Sequence, residues 1–112
     1  MNFVKVAEIQ EFTAVAKKKV EVNGIEILLV RKKDVYYAVS NRCPHMGGSL
    51  YDGKIEGDAV FCPKHGSGFN LKTGEVVEQG KLLFIKVKVN QITTFPVKIE
   101  GNEIFIGIES KK

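Results

Sequence analysis

The residue types best suited to bind a metal are scarce in this chain, and they lie in two short segments. The sequence contains two cysteines and two histidines. The first segment pairs Cys43 with His45, and after sixteen intervening residues the second pairs Cys62 with His65. A disulfide or two buried thiols would account for the cysteines but not for the paired histidines. Thiolate and imidazole ligands favour zinc, iron or an iron–sulfur centre over magnesium or calcium.

Proline and glycine surround all four of these residues. The first segment reads CPHMGG at residues 43–48, and the second reads CPKHGSGF at residues 62–69. Proline restricts a turn, whereas glycine permits backbone conformations closed to other residues and lets amide groups approach a ligand closely. Inward-pointing amides would suit inorganic sulfides, which need hydrogen bonds where water is excluded. The pattern therefore predicts two ligand-bearing loops.

The arrangement Cys-x-His, sixteen residues, Cys-x-x-His resembles the signature of Rieske iron–sulfur proteins. The similarity continues through Gly47-Gly48, through Gly57-x-x-Val60, through Leu71-x-Thr73-Gly74-Glu75 and into a closing hairpin that begins at Phe95. It therefore covers most of the chain.

The resemblance implies one [2Fe–2S] cluster per chain. Cys43 and Cys62 would bind an inner iron, and His45 and His65 an outer iron whose imidazole edges form the electron port. Two ferric ions, two sulfides and two thiolates sum to zero charge, so reduction leaves a single negative charge. A reduced [2Fe–2S] centre held by four thiolates accumulates more negative charge than this. The smaller charge makes reduction easier, which fits the higher potentials of Rieske centres, roughly −150 to +300 mV.

Four positions near the ligands refine this expectation. High-potential respiratory Rieske proteins carry an extra cysteine in each loop, and the two form a disulfide. The corresponding residues here are Gly48 and Lys64, so no such bridge is expected. Those proteins also use a serine and a tyrosine hydroxyl as donors toward sulfur. Ser67 matches that serine, so we expect it to be a cofactor-binding residue, whereas Phe69 stands where the tyrosine would be. We expect a potential near the low end of the Rieske range, raised somewhat by Ser67.

A structural zinc site is the alternative for the same residues, since two cysteines and two histidines are also a zinc ligand set. Zinc fingers usually place both thiolates in one loop and both imidazoles on a helix. Each loop of this chain mixes the two types, and the sequence shows no long helix, which favours the iron–sulfur interpretation.

Short strands separated by Gly and Asn turns are predicted to position these loops, which is typical of an all-β sandwich or barrel. With the resemblance, we expect a single Rieske-like antiparallel β domain over residues 1–112, with a loop-rich cluster-binding subdomain at about residues 41–75. The Asn23-Gly24 dipeptide predicts a hairpin turn. One helical turn is expected at Glu8–Phe12. Strands are expected at Phe3–Ala7, Val20–Val22, Ile25–Val30, Val35–Val39, Ala59–Phe61, Phe69–Leu71, Leu82–Val89, Phe95–Ile99 and Glu103–Ile108.

The segment of residues 78–94 has no proline, although many relatives place a proline-containing loop there. Its apolar part, Leu82–Val89, predicts a buried core strand, and an edge strand or docking surface remains the alternative.

Composition narrows the functional classes. The net charge is +4 and the pI about 9.1, but Lys and Glu are interspersed along the predicted strands, so nucleic-acid binding is not expected. No apolar run approaches the ~20 residues that span a bilayer, and no export signal is visible, so a cytoplasmic location without membrane contact is expected.

Together these features predict a soluble Rieske ferredoxin, a one-electron carrier between a reductase and an oxygenase or another redox enzyme. We expect neither enzymatic activity nor a small-molecule substrate. The alternatives are a non-catalytic small subunit of a larger oxidoreductase, such as nitrite reductase, and a redox or metal sensor.

Overall fold

The fold was obtained as a computed structural model, and it describes residues 2–13, 16–43, 48–63, 66–78, 80–82, 85–87 and 91–108. Two 3₁₀ turns lie at Ile9–Phe12 and Leu50–Asp52. The strands are β1 (Asn2–Glu8), β2 (Lys17–Val22), β3 (Ile25–Lys32), β4 (Val35–Ser40), β5 (Lys54–Glu56), β6 (Ala59–Phe61), β7 (Gly68–Asn70), β8 (Val76–Glu78), β9 (Gly80–Leu82), β10 (Ile85–Val87), β11 (Thr94–Phe95), β12 (Val97–Glu100) and β13 (Glu103–Ile108).

These strands form three main antiparallel sheets and one separate hairpin. The central sheet has the order β11-β4-β3-β2, and the outer sheet has the order β1-β13-β12. The site sheet has the order β5-β6-β7-β8, and β9 pairs with β10. The predicted all-β class is confirmed. No helix in the described residues is long and apolar enough to cross a membrane.

Strand β3 explains how the sheets are layered. Its residues Ile27, Leu28, Leu29 and Val30 are all buried, although successive side chains of a strand point to opposite faces. Ile27 and Leu29 belong to the apolar core shared with the outer sheet. Leu28 and Val30 belong to a second core, which also contains residues of the site sheet. The central sheet is therefore covered on both faces. The outer sheet packs on one face, and the site sheet packs on the face that carries Leu28 and Val30.

The Asn23-Gly24 turn joins β2 to β3 as predicted. Both residues have positive φ, 52° at Asn23 and 81° at Gly24, the combination required by the type I′ hairpin turn. The turn sets the register in which Val22 pairs with Ile25. A sequence-local feature therefore places β3 correctly for its two-sided burial.

Two predicted strands differ from the structure. The continuous strand expected at Leu82–Val89 is instead divided between β9 and β10, which pair with each other. Whether this segment is core or surface stays open, because its side chains lie outside the described part. The expected arm Phe95–Ile99 is interrupted at Pro96, which has no N–H to donate. Phe95 pairs with the central sheet and Val97 with the outer sheet, so the chain changes sheets there.

The remaining predicted strands and the helical turn match the structure to within a few residues. The 3₁₀ turn at Leu50–Asp52 and the short strands β5 and β8 were not predicted. Neither β5, which reads Lys-Ile-Glu, nor β8, which reads Val-Val-Glu, shows enough alternation to be recognised from sequence.

Candidate metal centre

The first ligand loop leaves the central sheet at the end of β4 and is closed by backbone hydrogen bonds. The Cys43 N–H donates to the Gly48 carbonyl at 2.8 Å. Directly outside this bond, Arg42 and Ser49 form an isolated antiparallel bridge. The two stems on either side of residues 44–47 are therefore paired with each other, and Cys43 ends the entry stem.

Asn41 holds this loop to β3, and sequence reasoning did not single it out. Its side chain is fully buried. The Asn41 Nδ2 group donates to Ser49 Oγ at 2.9 Å and to Glu26 Oε1 at 3.2 Å. Its Oδ1 atom accepts from the Tyr51 N–H at 2.8 Å. The only signal in the sequence was an Asn that lies two residues after a predicted strand and two residues before Cys43.

The second ligand loop joins β6 to β7. The Cys62 N–H donates to the Ser67 carbonyl at 2.7 Å, and the Gly66 N–H donates to the Cys62 carbonyl at 3.1 Å. Gly66 has φ of +80°, a conformation that non-glycine residues adopt at a cost. The two ends of the loop are therefore bonded to each other, and Cys62 comes directly after the last paired residue of β6.

The tertiary structure brings the two cysteines into one apolar cluster. Cys43 is 2 % exposed and Cys62 is 3 % exposed, and no disulfide joins them. They share this cluster with residues of the central sheet, the site sheet and the segments that connect them, namely Leu28, Val30, Val39, Leu50, Val60, Phe69, Leu71 and Ile92. An ionised thiol in such surroundings is unfavourable unless a metal offsets its charge. The donor chemistry and burial therefore fit a bound metal cluster.

Ser67 and Phe69, at the end of the second ligand loop, are both buried. Ser67 is 1 % exposed, and Phe69 is fully buried in the apolar cluster. The role of the Ser67 hydroxyl as a donor toward sulfur stays a prediction. His45, His65 and Lys64, which complete the expected loops, lie outside the described residues.

A third segment, residues 91–93, supports the site and was not predicted. Ile92 is buried in the same apolar cluster as the cysteines. Its N–H donates to the Gly74 carbonyl at 2.9 Å, and the neighbouring Thr93 carbonyl accepts from the Ser40 N–H at 2.9 Å. This segment therefore links the turn after β7 to the end of β4, from which the first loop departs.

Charged groups border the first loop on two sides. The Arg42 Nη2 atom lies 2.8 Å from Glu26 Oε2. The hydrogen bond from Asn41, followed by that from Arg42, holds the pKa of Glu26 below its ordinary value. On the other side, the Lys17 ammonium donates to the Tyr51 carbonyl and, at 2.9 Å, to the Gly53 carbonyl. Strand β3 therefore holds the entry of the loop through Glu26, and strand β2 holds its exit through Lys17.

Two cysteine-bearing loops, mounted on separate sheets and meeting in one buried apolar cluster, define an all-β domain built to enclose a metal centre. The chain belongs to the Rieske [2Fe–2S] domain family, whose model matches residues 2–104. The predicted family is therefore confirmed, and membership implies one [2Fe–2S] cluster per chain.

Curated relatives of this chain are ferredoxin subunits. The 3-phenylpropionate/cinnamic acid dioxygenase ferredoxin subunits of Shigella boydii and Escherichia coli K12 are each 40% identical over 74 residues. The match covers 65% of this chain and 63% of each relative, so it spans less than two thirds of their length.

Solved structures of similar fold extend the comparison over the whole chain. The ferredoxin of carbazole 1,9a-dioxygenase from Nocardioides aromaticivorans has a TM-score of 0.81 and 26% identity, covering 97% of this chain and 100% of its own. A complex of reduced oxygenase and oxidized ferredoxin in carbazole 1,9a-dioxygenase has a TM-score of 0.79 and 25% identity. The match covers 98% of this chain and 96% of the chain in the complex. The terminal oxygenase of the Nocardioides enzyme, at 21% identity, shares the fold over 31% of its chain.

Proposed function

We propose that this chain binds its [2Fe–2S] cluster through Cys43, His45, Cys62 and His65, with Ser67 beside it, and carries single electrons. Residues 1–112 form a single domain in this proposal, with the cluster-binding subdomain at about residues 41–75. The observation that carries the proposal is the burial of Cys43 and Cys62 in one apolar cluster, although they arise from different sheets.

The chain's own residues prepare the site for this role. When bound, the cluster supplies a one-electron redox couple. Leu50, Val60 and Phe69 are fully buried around the two cysteines and exclude water from the thiolate side. Because interactions between charges are stronger where water is excluded, the fixed groups of the two loops control the electrostatics there.

The donor and acceptor are proposed to be a reductase and an oxygenase or another redox enzyme. The relatives named as dioxygenase ferredoxin subunits support this assignment, as does the similarity to a ferredoxin found in complex with an oxygenase. We propose no catalytic activity for the chain alone, and no nucleic acid, membrane or small-molecule substrate as a partner. A cytoplasmic location is also proposed, since cysteines that form no disulfide suit a reducing compartment.

Metal analysis and electron paramagnetic resonance (EPR) of the purified protein test the ligand assignment. We expect two irons and two sulfides per chain, a Rieske-type EPR signal after reduction with dithionite, and loss of both iron and signal in Cys43→Ser and Cys62→Ser. In His45→Cys, a third thiolate would lower the potential while iron is retained. A colourless protein with one zinc per chain would overturn the assignment.

The carrier role has a separate test. The reduced protein is mixed with an oxidised Rieske oxygenase in a stopped-flow instrument, and reoxidation of its visible absorbance is recorded. Electron transfer that saturates with oxygenase concentration is the expected result. Isolation of the chain only in a stable complex with a larger enzyme would instead support the subunit alternative and refute the mobile carrier.

A further inference from the structure

We propose that Asn41 is a positioning residue that, together with Glu26, fixes the geometry of the first ligand loop and thereby the retention of the cluster. This inference rests on the proposed function, since it assigns Asn41 a role toward a group held by Cys43. Asn41 is not itself a ligand in this scheme. It acts through the backbone on both sides of residues 43–48.

One buried side chain connects both stems of the loop. On the exit side, the Asn41 carbonyl accepts from the Leu50 N–H at 2.8 Å, and Asn41 Oδ1 accepts from the Tyr51 N–H at 2.8 Å. The Asn41 Nδ2 group also donates to Ser49 Oγ at 2.9 Å. Asn41 itself stands two residues before Cys43, on the entry side. A displacement of either stem therefore breaks hydrogen bonds to the other.

Glu26 joins this pair of stems to strand β3. The Asn41 N–H donates to the Glu26 carbonyl at 3.0 Å, and Asn41 Nδ2 donates to Glu26 Oε1 at 3.2 Å. The second carboxylate oxygen of Glu26 binds Arg42 at 2.8 Å. Because Arg42 directly precedes Cys43, the backbone leading to Cys43 is held by Glu26 on one side and, through Asn41, by the exit stem on the other.

The side-chain amide is the chemical group that this position requires. It must accept from the Tyr51 N–H and donate to Glu26 and Ser49, and only an amide offers both functions in this geometry. An aspartate at position 41 keeps the acceptor but faces the Glu26 carboxylate without a proton between them. Like charges at that distance repel, and buried polar groups left unpaired are costly.

Exchanging the amide and the carboxylate between positions 41 and 26 tests the proposal. Asn41→Asp removes the amide that donates to Glu26. Adding Glu26→Gln supplies an amide at position 26 that can donate to the aspartate at position 41, so the double variant restores the hydrogen bond in the opposite direction. Asn102→Asp, at an exposed position in the β12–β13 turn, introduces the same charge without touching the network and is the matched control.

We expect Asn41→Asp to shorten the half-life of the visible absorbance under an iron chelator by about tenfold and to broaden the EPR signal of the reduced protein. The double variant should recover to within about threefold of the unmodified protein, and Asn102→Asp should match it. Equal half-lives and EPR spectra for Asn41→Asp and the unmodified protein would overturn the proposal. A double variant no better than Asn41→Asp would do the same.

Hydrogen exchange of the unmodified protein keeps the proposal testable if Asn41→Asp does not fold. The Leu50 and Tyr51 amides should exchange at least a hundredfold more slowly than exposed turn amides, with either iron or zinc bound. Fast exchange at both amides would refute the proposed role of Asn41. Slow exchange at both amides in a protein that binds only zinc would instead refute the proposed function and leave the role of Asn41 in the first loop intact.

Discussion

Replacing Gly74 by alanine should loosen the packing behind the cysteines. Gly74 has φ of +80°, and a Cβ atom there would lie 2.1 Å from the Ile92 carbonyl oxygen. Gly24 is a matched control, because its φ is +81° and a Cβ atom there meets nothing within 4 Å. The two substitutions share the backbone strain, and only Gly74→Ala adds a steric clash.

The magnitudes follow from these contacts. The left-handed conformation costs a non-glycine residue roughly 1–2 kcal/mol, and the gain from reduced freedom of the unfolded chain offsets about 0.4–1 kcal/mol of that. At Gly74 the carbonyl of Ile92 must also move by roughly 1 Å to reach an ordinary carbon–oxygen contact. That movement weakens the 2.9 Å hydrogen bond between the two residues, worth about 1 kcal/mol, and withdraws part of the buried Ile92 side chain from the core.

Full burial of such a side chain contributes about 1.5–3 kcal/mol, so we expect a total loss of roughly 3–4 kcal/mol for Gly74→Ala, against about 1 kcal/mol for Gly24→Ala. The assay is urea unfolding of the cluster-loaded proteins at one temperature, followed by circular dichroism and by visible absorbance, with the slope m checked for constancy. Because Ile92 shares the core of Cys43 and Cys62, Gly74→Ala should also lose its cluster at lower urea. Equal losses for the two variants would refute the reasoning.

Three further predictions concern the supports of the first ligand loop. Lys17→Met should cost about 1–2 kcal/mol, because a charged donor to two carbonyls at the end of the 3₁₀ turn is lost, whereas the exposed Lys19→Met should stay within about 0.5 kcal/mol in urea unfolding. The pKa of Glu26 is lowered in the folded state, so its contribution is present above the unfolded pKa of about 4.3 and is lost as the pH falls below it. Unfolding midpoints between pH 3 and pH 7 should therefore decline less in Glu26→Gln, and parallel profiles would contradict this. Leu50→Ala, which empties a fully buried position beside the cysteines, should cost about 2–5 kcal/mol and speed iron release, measured by chelation.

The family and the expected ligand set were predicted from the sequence because their signals are local. A Cys-x-His and a Cys-x-x-His pair can be recognised from spacing alone, since their residues are neighbours in the chain. The Asn23-Gly24 turn was equally readable, because the positive φ values it needs are a property of those two residues. The disposition of the histidines and the role of the Ser67 hydroxyl stay predictions.

The tertiary structure decided the features that depend on distant segments. The role of Asn41 arises from Glu26 on another strand and from Tyr51 beyond the loop, and no local pattern marks such partners. The change of sheet at Pro96 likewise depends on distant partners, since Phe95 pairs with Ala38 and Val97 with Ile106.

Strand β3 shows the same division within one element. The apolar run that contains Ile27–Val30 predicted a strand from sequence, but not which side chains face which layer. Only the packed sheets assign Leu28 and Val30 to the core of the cysteines and Ile27 and Leu29 to the other core. The ligand types and the local turn geometry depend on residues that are neighbours in the chain, so the sequence predicts them. Burial depends on surfaces that meet only after the chain has folded.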